Sequence, residues 1–68
     1  MNPKDQRIMD ILADGPKTTP EIAKHFGGTR AQDVWRWCRS LEKYRFITRQ
    51  VIRKGQYGMV TEWRIIEE

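Results

Sequence analysis

One cysteine and one histidine are all that the 68 residues contain of the soft metal ligands. A lone Cys38 excludes an internal disulfide framework, so a reducing setting is the default. His25 and Cys38 together are too few for a structural zinc site, and neither a metal nor a cofactor is expected. Long apolar runs are also missing. The opening stretch MNPKDQRIMDIL carries Asp and Arg inside its apolar pattern, so it reads as neither a signal peptide nor a membrane span. The expected address is the cytoplasm, with no membrane partner. No Ser-His-Asp set, paired carboxylates or glycine-rich phosphate loop is readable, and the carboxylates of the first segment look like solvated surface. The expectation is that the chain is not an enzyme. Repeats, linkers and low-complexity segments are lacking as well, which leaves one small domain over residues 1–68.

Large aromatics are present in generous supply for that size: three Trp, two Tyr and two Phe. The formal net charge is a modest +4, but it is unevenly placed. In residues 1–28, Lys4, Arg7, Lys17 and Lys24 balance Asp5, Asp10, Asp14 and Glu21. Residues 29–54 carry Arg30, Arg36, Arg39, Lys43, Arg45, Arg49, Arg53 and Lys54 against only Asp33 and Glu42, a net +6. Residues 55–68 carry Arg64 against Glu62, Glu67 and Glu68, a net −2. Positive charge gathered in one stretch is the footprint of a polyanionic partner.

In chain order, a first helix is expected over about Pro3–Ala13. Asn2 is its N-cap, Pro3 takes the first position and Asp5 sits in the positive first turn. Ile8, Ile11 and Leu12 make its core stripe, with Met9 on the flank. Asp14-Gly15-Pro16 ends it. Lys17-Thr18-Thr19 is short and extended, at most a one- or two-residue strand. A second helix opens at TTPEIAKHFG. Either Thr18 is its N-cap, with Glu21 closing a capping box, or Thr19 is the N-cap, with Pro20 following. Ile22, Ala23 and Phe26 face the core. Gly27-Gly28 breaks the helix, and Thr29 is expected to cap the next.

That next stretch, TRAQDVWRWCRSLEKYRFI, is an amphipathic helix over about residues 29–44. With Val34 at zero on a helical wheel, Cys38 falls at about 40°, Leu41 at about 340°, Trp37 at about 300° and Ala31 at about 60°. These form one apolar stripe. Gln32, Arg36, Arg39, Ser40 and Lys43 fall on the other side. Phe46–Arg53 and Met59–Ile66 then read as two strands, joined by a hairpin through Lys54-Gly55-Gln56-Tyr57-Gly58. On the second strand Thr61, Trp63 and Ile65 share one face, and Glu62 and Arg64 the other.

Three helices followed by a hairpin give the α+β order of the winged helix-turn-helix family, and particular segments carry the resemblance. TTPEIAKHFG resembles the family's second helix, in which a Thr or Ser cap precedes an Ile-Ala or Leu-Ala pair. TRAQDVWRWCRSLEKYRFI resembles its recognition helix, with Val34, Cys38 and Leu41 at core positions and Phe46-Ile47 where the wing opens. VTEWRI is similar to the second strand of a two-stranded wing. The resemblance covers essentially the whole chain. One position departs from it. The family commonly has Gly where this chain has Arg45, a position that often needs positive φ, at a cost of about 1 kcal/mol for a residue with a side chain. Either Arg45 accepts that strain, or the helix ends by another route.

The resemblance implies a sequence-specific double-stranded DNA-binding protein, a transcriptional regulator. Arg30, Gln32, Asp33 and Arg36 would then enter the major groove. Their types suit it: Arg pairs bidentately with guanine and Gln with adenine. Asp33 has three readings: it accepts from cytosine, orients Arg36 or Arg30, or stabilises the helix N-terminus. Thr29, Lys24, Arg39 and Lys43 would lie nearer phosphates. Arg53, Lys54, Gln56 and Tyr57 would place the wing, about residues 53–58, on the backbone or in the minor groove. A homodimer on a two-fold site is one arrangement for so small a module, and a weakly binding monomer is the other. Trp35 and Trp37 sit at the edges of the apolar stripe. Either each lays a ring over the core edge, or one of them anchors a partner. In the second case the chain is a winged-helix docking module for another protein.

Overall fold

The computed structural model describes residues 1–53 and 58–67. Helix α1 spans Pro3–Leu12, strand β1 Lys17–Thr18, helix α2 Thr19–His25, helix α3 Ala31–Lys43, strand β2 Ile47–Arg53 and strand β3 Met59–Ile65. The three strands form one antiparallel sheet in the order β1-β3-β2. The sheet is therefore three-stranded where a two-stranded hairpin was expected. The third strand comes from the two extended residues ahead of α2, which pair Lys17 with Trp63 and Thr18 with Glu62.

Local signals set the helix boundaries. Asn2 caps α1 by accepting from the Asp5 N–H at 2.8 Å, and Pro3 fills the first position. The helix stops one residue short of expectation, at Leu12. For α2, the two alternatives resolve in favour of Thr18. Its hydroxyl accepts from the Glu21 N–H at 3.4 Å, and the Glu21 carboxylate accepts from the Thr18 N–H at 3.0 Å. Two of the helix's otherwise unpaired donors are satisfied by this reciprocal box.

The end of α3 answers the question raised by Arg45. Its φ is 64°, so it takes the left-handed conformation and accepts the strain. The Arg45 N–H donates to the Glu42 carbonyl at 2.9 Å, and the Phe46 N–H reaches back to the Leu41 carbonyl at 3.1 Å. These are the two bonds of a Schellman cap. They turn the chain sharply into β2, and the strand starts at Ile47 rather than Phe46, which stays exposed.

The core is one cluster. It takes Ile8, Ile11 and Leu12 from α1, Ile22 and Ala23 from α2, Val34, Cys38 and Leu41 from α3, and Ile47 and Trp63 from the sheet. Phe26 packs against it half-buried, as do Met9, Trp35, Trp37 and Ile65. Trp63 is fully buried, and its indole N–H donates to Thr19 Oγ1 at 2.9 Å, tying β3 to the start of α2. Among the described residues every buried side-chain nitrogen and oxygen has a hydrogen-bond partner. No helix among them is long and apolar enough to cross a membrane.

Candidate nucleic-acid interface

Helix α3 presents two unlike sides. Val34, Cys38 and Leu41, at i, i+4 and i+7, are buried. Gln32, Arg36, Arg39, Ser40 and Lys43 are exposed on the opposite side, in the expected order. Thirteen helical residues extend about 20 Å at 1.5 Å per residue, and a helix of this kind fits the major groove, about 12 Å wide.

The start of α3 differs from expectation. Thr29 does not cap it. Its hydroxyl donates instead to the Phe26 carbonyl at 3.3 Å, at the end of α2, and Arg30 becomes the N-cap with no side-chain hydrogen bond. The two glycines between the helices, at φ 74° and 96°, bend the chain so that Thr29 faces back toward α2. Ala31 is exposed rather than part of the apolar stripe. Asp33 lies in that first turn and meets Arg36 at 3.5 Å, with the Arg36 side chain 78% exposed. So open an ion pair contributes only about 0–1 kcal/mol, and Arg36 is free to leave it.

Lys24, Arg30, Arg39, Lys43 and Arg53 are exposed and Thr29 is half-buried. Lys54, Gln56 and Tyr57 lie outside the described residues. Strand register adds a residue that the sequence reading passed over. Ile47, Arg49, Val51 and Arg53 share the face of β2 that looks toward α3, opposite Ile65, Trp63, Thr61 and Met59 on β3. Arg49 stands with its guanidinium 5.5 Å from the centre of the Trp35 ring and its Nε 3.6 Å from Glu42. Alternation from the buried Ile47 was the available signal; the Glu42 pairing had none.

The two boundary tryptophans are half-buried and engaged. Trp35 packs edge-on against Trp63, with ring centres 5.2 Å apart. Trp37 packs edge-on against Phe26 at 5.4 Å and carries the Lys4 ammonium 4.9 Å above its ring. Trp35 also lines an open groove of about 630 Å³ between α3 and β3, with Gln32, Arg36, Met59 and Thr61.

Cys38 is fully buried, and burial pushes its thiol from 9.0 up to about 12, with the Asp5 and Glu42 charges adding to the effect. A thiol held protonated is a poor nucleophile and a poor metal ligand. Among the described residues no three His, Cys, Asp or Glu side chains gather into a metal-binding group.

No protein-family profile and no curated protein sequence matches the chain. Among solved structures, the chain is similar over 97% of its length to the reduced form of the transcriptional regulator YodB from B. subtilis, with a TM-score of 0.79 and 21% identity. It spans 63% of that chain. The two share a fold of three helices and a small antiparallel sheet.

Proposed function

We propose that the chain is a winged helix-turn-helix domain that binds double-stranded DNA sequence-specifically and regulates transcription. Helix α3, with the residues flanking it over about 29–44, enters the major groove, and the wing over about 53–58 lies on the backbone or in the minor groove. The observation that carries this reading is the outer side of α3: Gln32, Arg36, Arg39 and Lys43 are all exposed on one short helix whose other side is buried. The likeness to a transcriptional regulator's fold supports it, as does the net +6 of residues 29–54.

In this reading Arg30, Gln32 and Arg36 read bases. Asp33 steadies the first turn and orients Arg36, and Thr29, Arg39 and Lys43 position the helix on phosphates. Arg53, Lys54, Gln56 and Tyr57 hold the wing to the duplex. The protein acts in the cytoplasm as one domain and needs neither metal nor cofactor. Whether it sits on DNA as a monomer or as a homodimer follows from the half-site symmetry of duplexes selected from a random library. A docking role for Trp35 or Trp37 has less support, since both rings are occupied by packing and cation contacts.

An electrophoretic shift assay with random and selected duplexes, at low and raised salt, tests the proposal. Both should bind in low salt, and the selected duplex should hold on as salt rises. No binding at micromolar protein in low salt would end it. Lys54→Ala should weaken all duplexes alike and flatten the salt dependence by about one phosphate contact.

A further inference from the structure

We propose that Arg39 of α3 and Arg49 of β2 form a two-arginine site for one backbone phosphate, and that Glu42 fills it in the free protein as an internal substitute. The proposal rests on the DNA reading above and names a contact within it.

Glu42 divides its carboxylate between two elements. One oxygen lies 3.9 Å from Arg39 Nε, and the other lies 3.6 Å from Arg49 Nε. Both distances exceed a charge-assisted hydrogen bond of about 2.7–2.9 Å, so the carboxylate holds the two arginines near each other without saturating them. Neither guanidinium donates a hydrogen bond to any other described residue. Their side chains are 55% and 39% exposed, while Glu42 between them is 25% exposed.

Arg49 is also held in place from below. The Trp35 ring under its guanidinium packs on Trp63, which is itself anchored to Thr19. An arginine stacked in this way loses little freedom when it meets an anion. On the helix side, Arg39, Ser40, Glu42 and Lys43 line a shallow surface depression. A phosphodiester matches this geometry. It carries one negative charge on two free oxygens, as a carboxylate does, so it can take over both arginines once Glu42 swings outward. Since one arginine comes from α3 and the other from the sheet, the shared phosphate would also set the angle at which helix and wing grip the duplex.

Charge arithmetic makes the proposal testable. The triad contributes net +1 in the natural chain, +2 in Glu42→Gln and zero in Arg49→Ala. Binding of the full chain to a random duplex is read by fluorescence anisotropy over a range of salt. Glu42→Gln should bind about three- to tenfold tighter at low salt, with the log–log salt slope little changed, because the same single phosphate is neutralised. Arg49→Ala should bind more weakly, with the slope shallower by about 0.9, and Arg49→Lys should keep the natural slope. If Glu42→Gln binds no tighter, or if Arg49→Ala only melts earlier and keeps its slope, the site is a structural ion pair and the proposal is wrong. The Glu42→Gln and Arg49→Lys variants carry the test should Arg49→Ala fail to fold.

A second arm separates this failure from failure of the DNA reading. Inorganic phosphate is titrated while the Nε–H signals of Arg39 and Arg49 are followed by NMR. Joint shifts, larger in Glu42→Gln, support the anion site even if no duplex binds; their absence overturns it.

Discussion

The two helices that meet at Gly27-Gly28 begin in opposite ways. The start of α2 is closed: Thr18 and Glu21 cap each other's backbone, Thr19 takes the Trp63 indole N–H, and both threonines are buried. The start of α3 is open: Arg30 sits at the cap position with no side-chain bond, and Ala31 and Gln32 are exposed. A closed start serves stability. An open one gives up about 1 kcal/mol of capping. The difference fits the proposed division of roles, with α2 as scaffold and α3 as the helix that meets DNA.

The comparison breaks most severely at Trp63. Trp63→Ala removes the largest buried side chain and the bond that closes α2, and should cost about 3–5 kcal/mol, read by urea denaturation. That is a large share of what a domain of this length holds. A loss below about 1 kcal/mol would mean that the sheet does not anchor α2.

Next in size is a matched pair. Thr18→Ala should lower stability by about 1 kcal/mol, while Arg30→Ser, which supplies the missing cap to α3, should raise it by about 0.5–1 kcal/mol. Thermal melts of both variants read the contrast, and equal losses would dissolve it. At the other end of α3, Arg45→Gly relieves the left-handed residue. It should gain up to about 1 kcal/mol, less the entropy that glycine adds to the unfolded chain.

The smallest effect at neutral pH comes from Cys38. Its folded thiol titrates at about 12 against 9.0 for the unperturbed group. The stability this shift contributes is therefore fully present below pH 9.0 and is lost as the pH rises toward 12, because only the unfolded chain ionises readily in that window. Melting temperature should fall more steeply above pH 9 in the natural chain than in Cys38→Ala, and slow alkylation of the native thiol at pH 8 should accompany it.

What was readable beforehand was local. Asn2, the Thr18–Glu21 box and the Val34, Cys38, Leu41 stripe depend on residues within two turns of one another. Arg45 stood out through the resemblance, because the winged helix-turn-helix family commonly has Gly at that position. What escaped depends on distant partners. Nothing near Lys17 announces that it pairs with Trp63, which makes the sheet three-stranded. Thr29 carries the right side chain for a cap, yet the glycine turn delivers its hydroxyl to Phe26. Arg49 looked like one more strand cation, and only the packing of β2 beside α3 sets it against Trp35 and Glu42. The charged outer side of α3 was legible from periodicity; how its charges pair was not.

The claim that the open helix reads DNA is tested most directly by selecting duplexes from a random library and comparing the natural chain with Arg36→Ala on the winner. The account predicts a consensus for the natural chain and a loss of about 1–3 kcal/mol of discrimination at one base pair in the variant, with random-duplex affinity little changed. An Arg36→Ala protein that ranks and binds the duplexes as the natural chain does would contradict it.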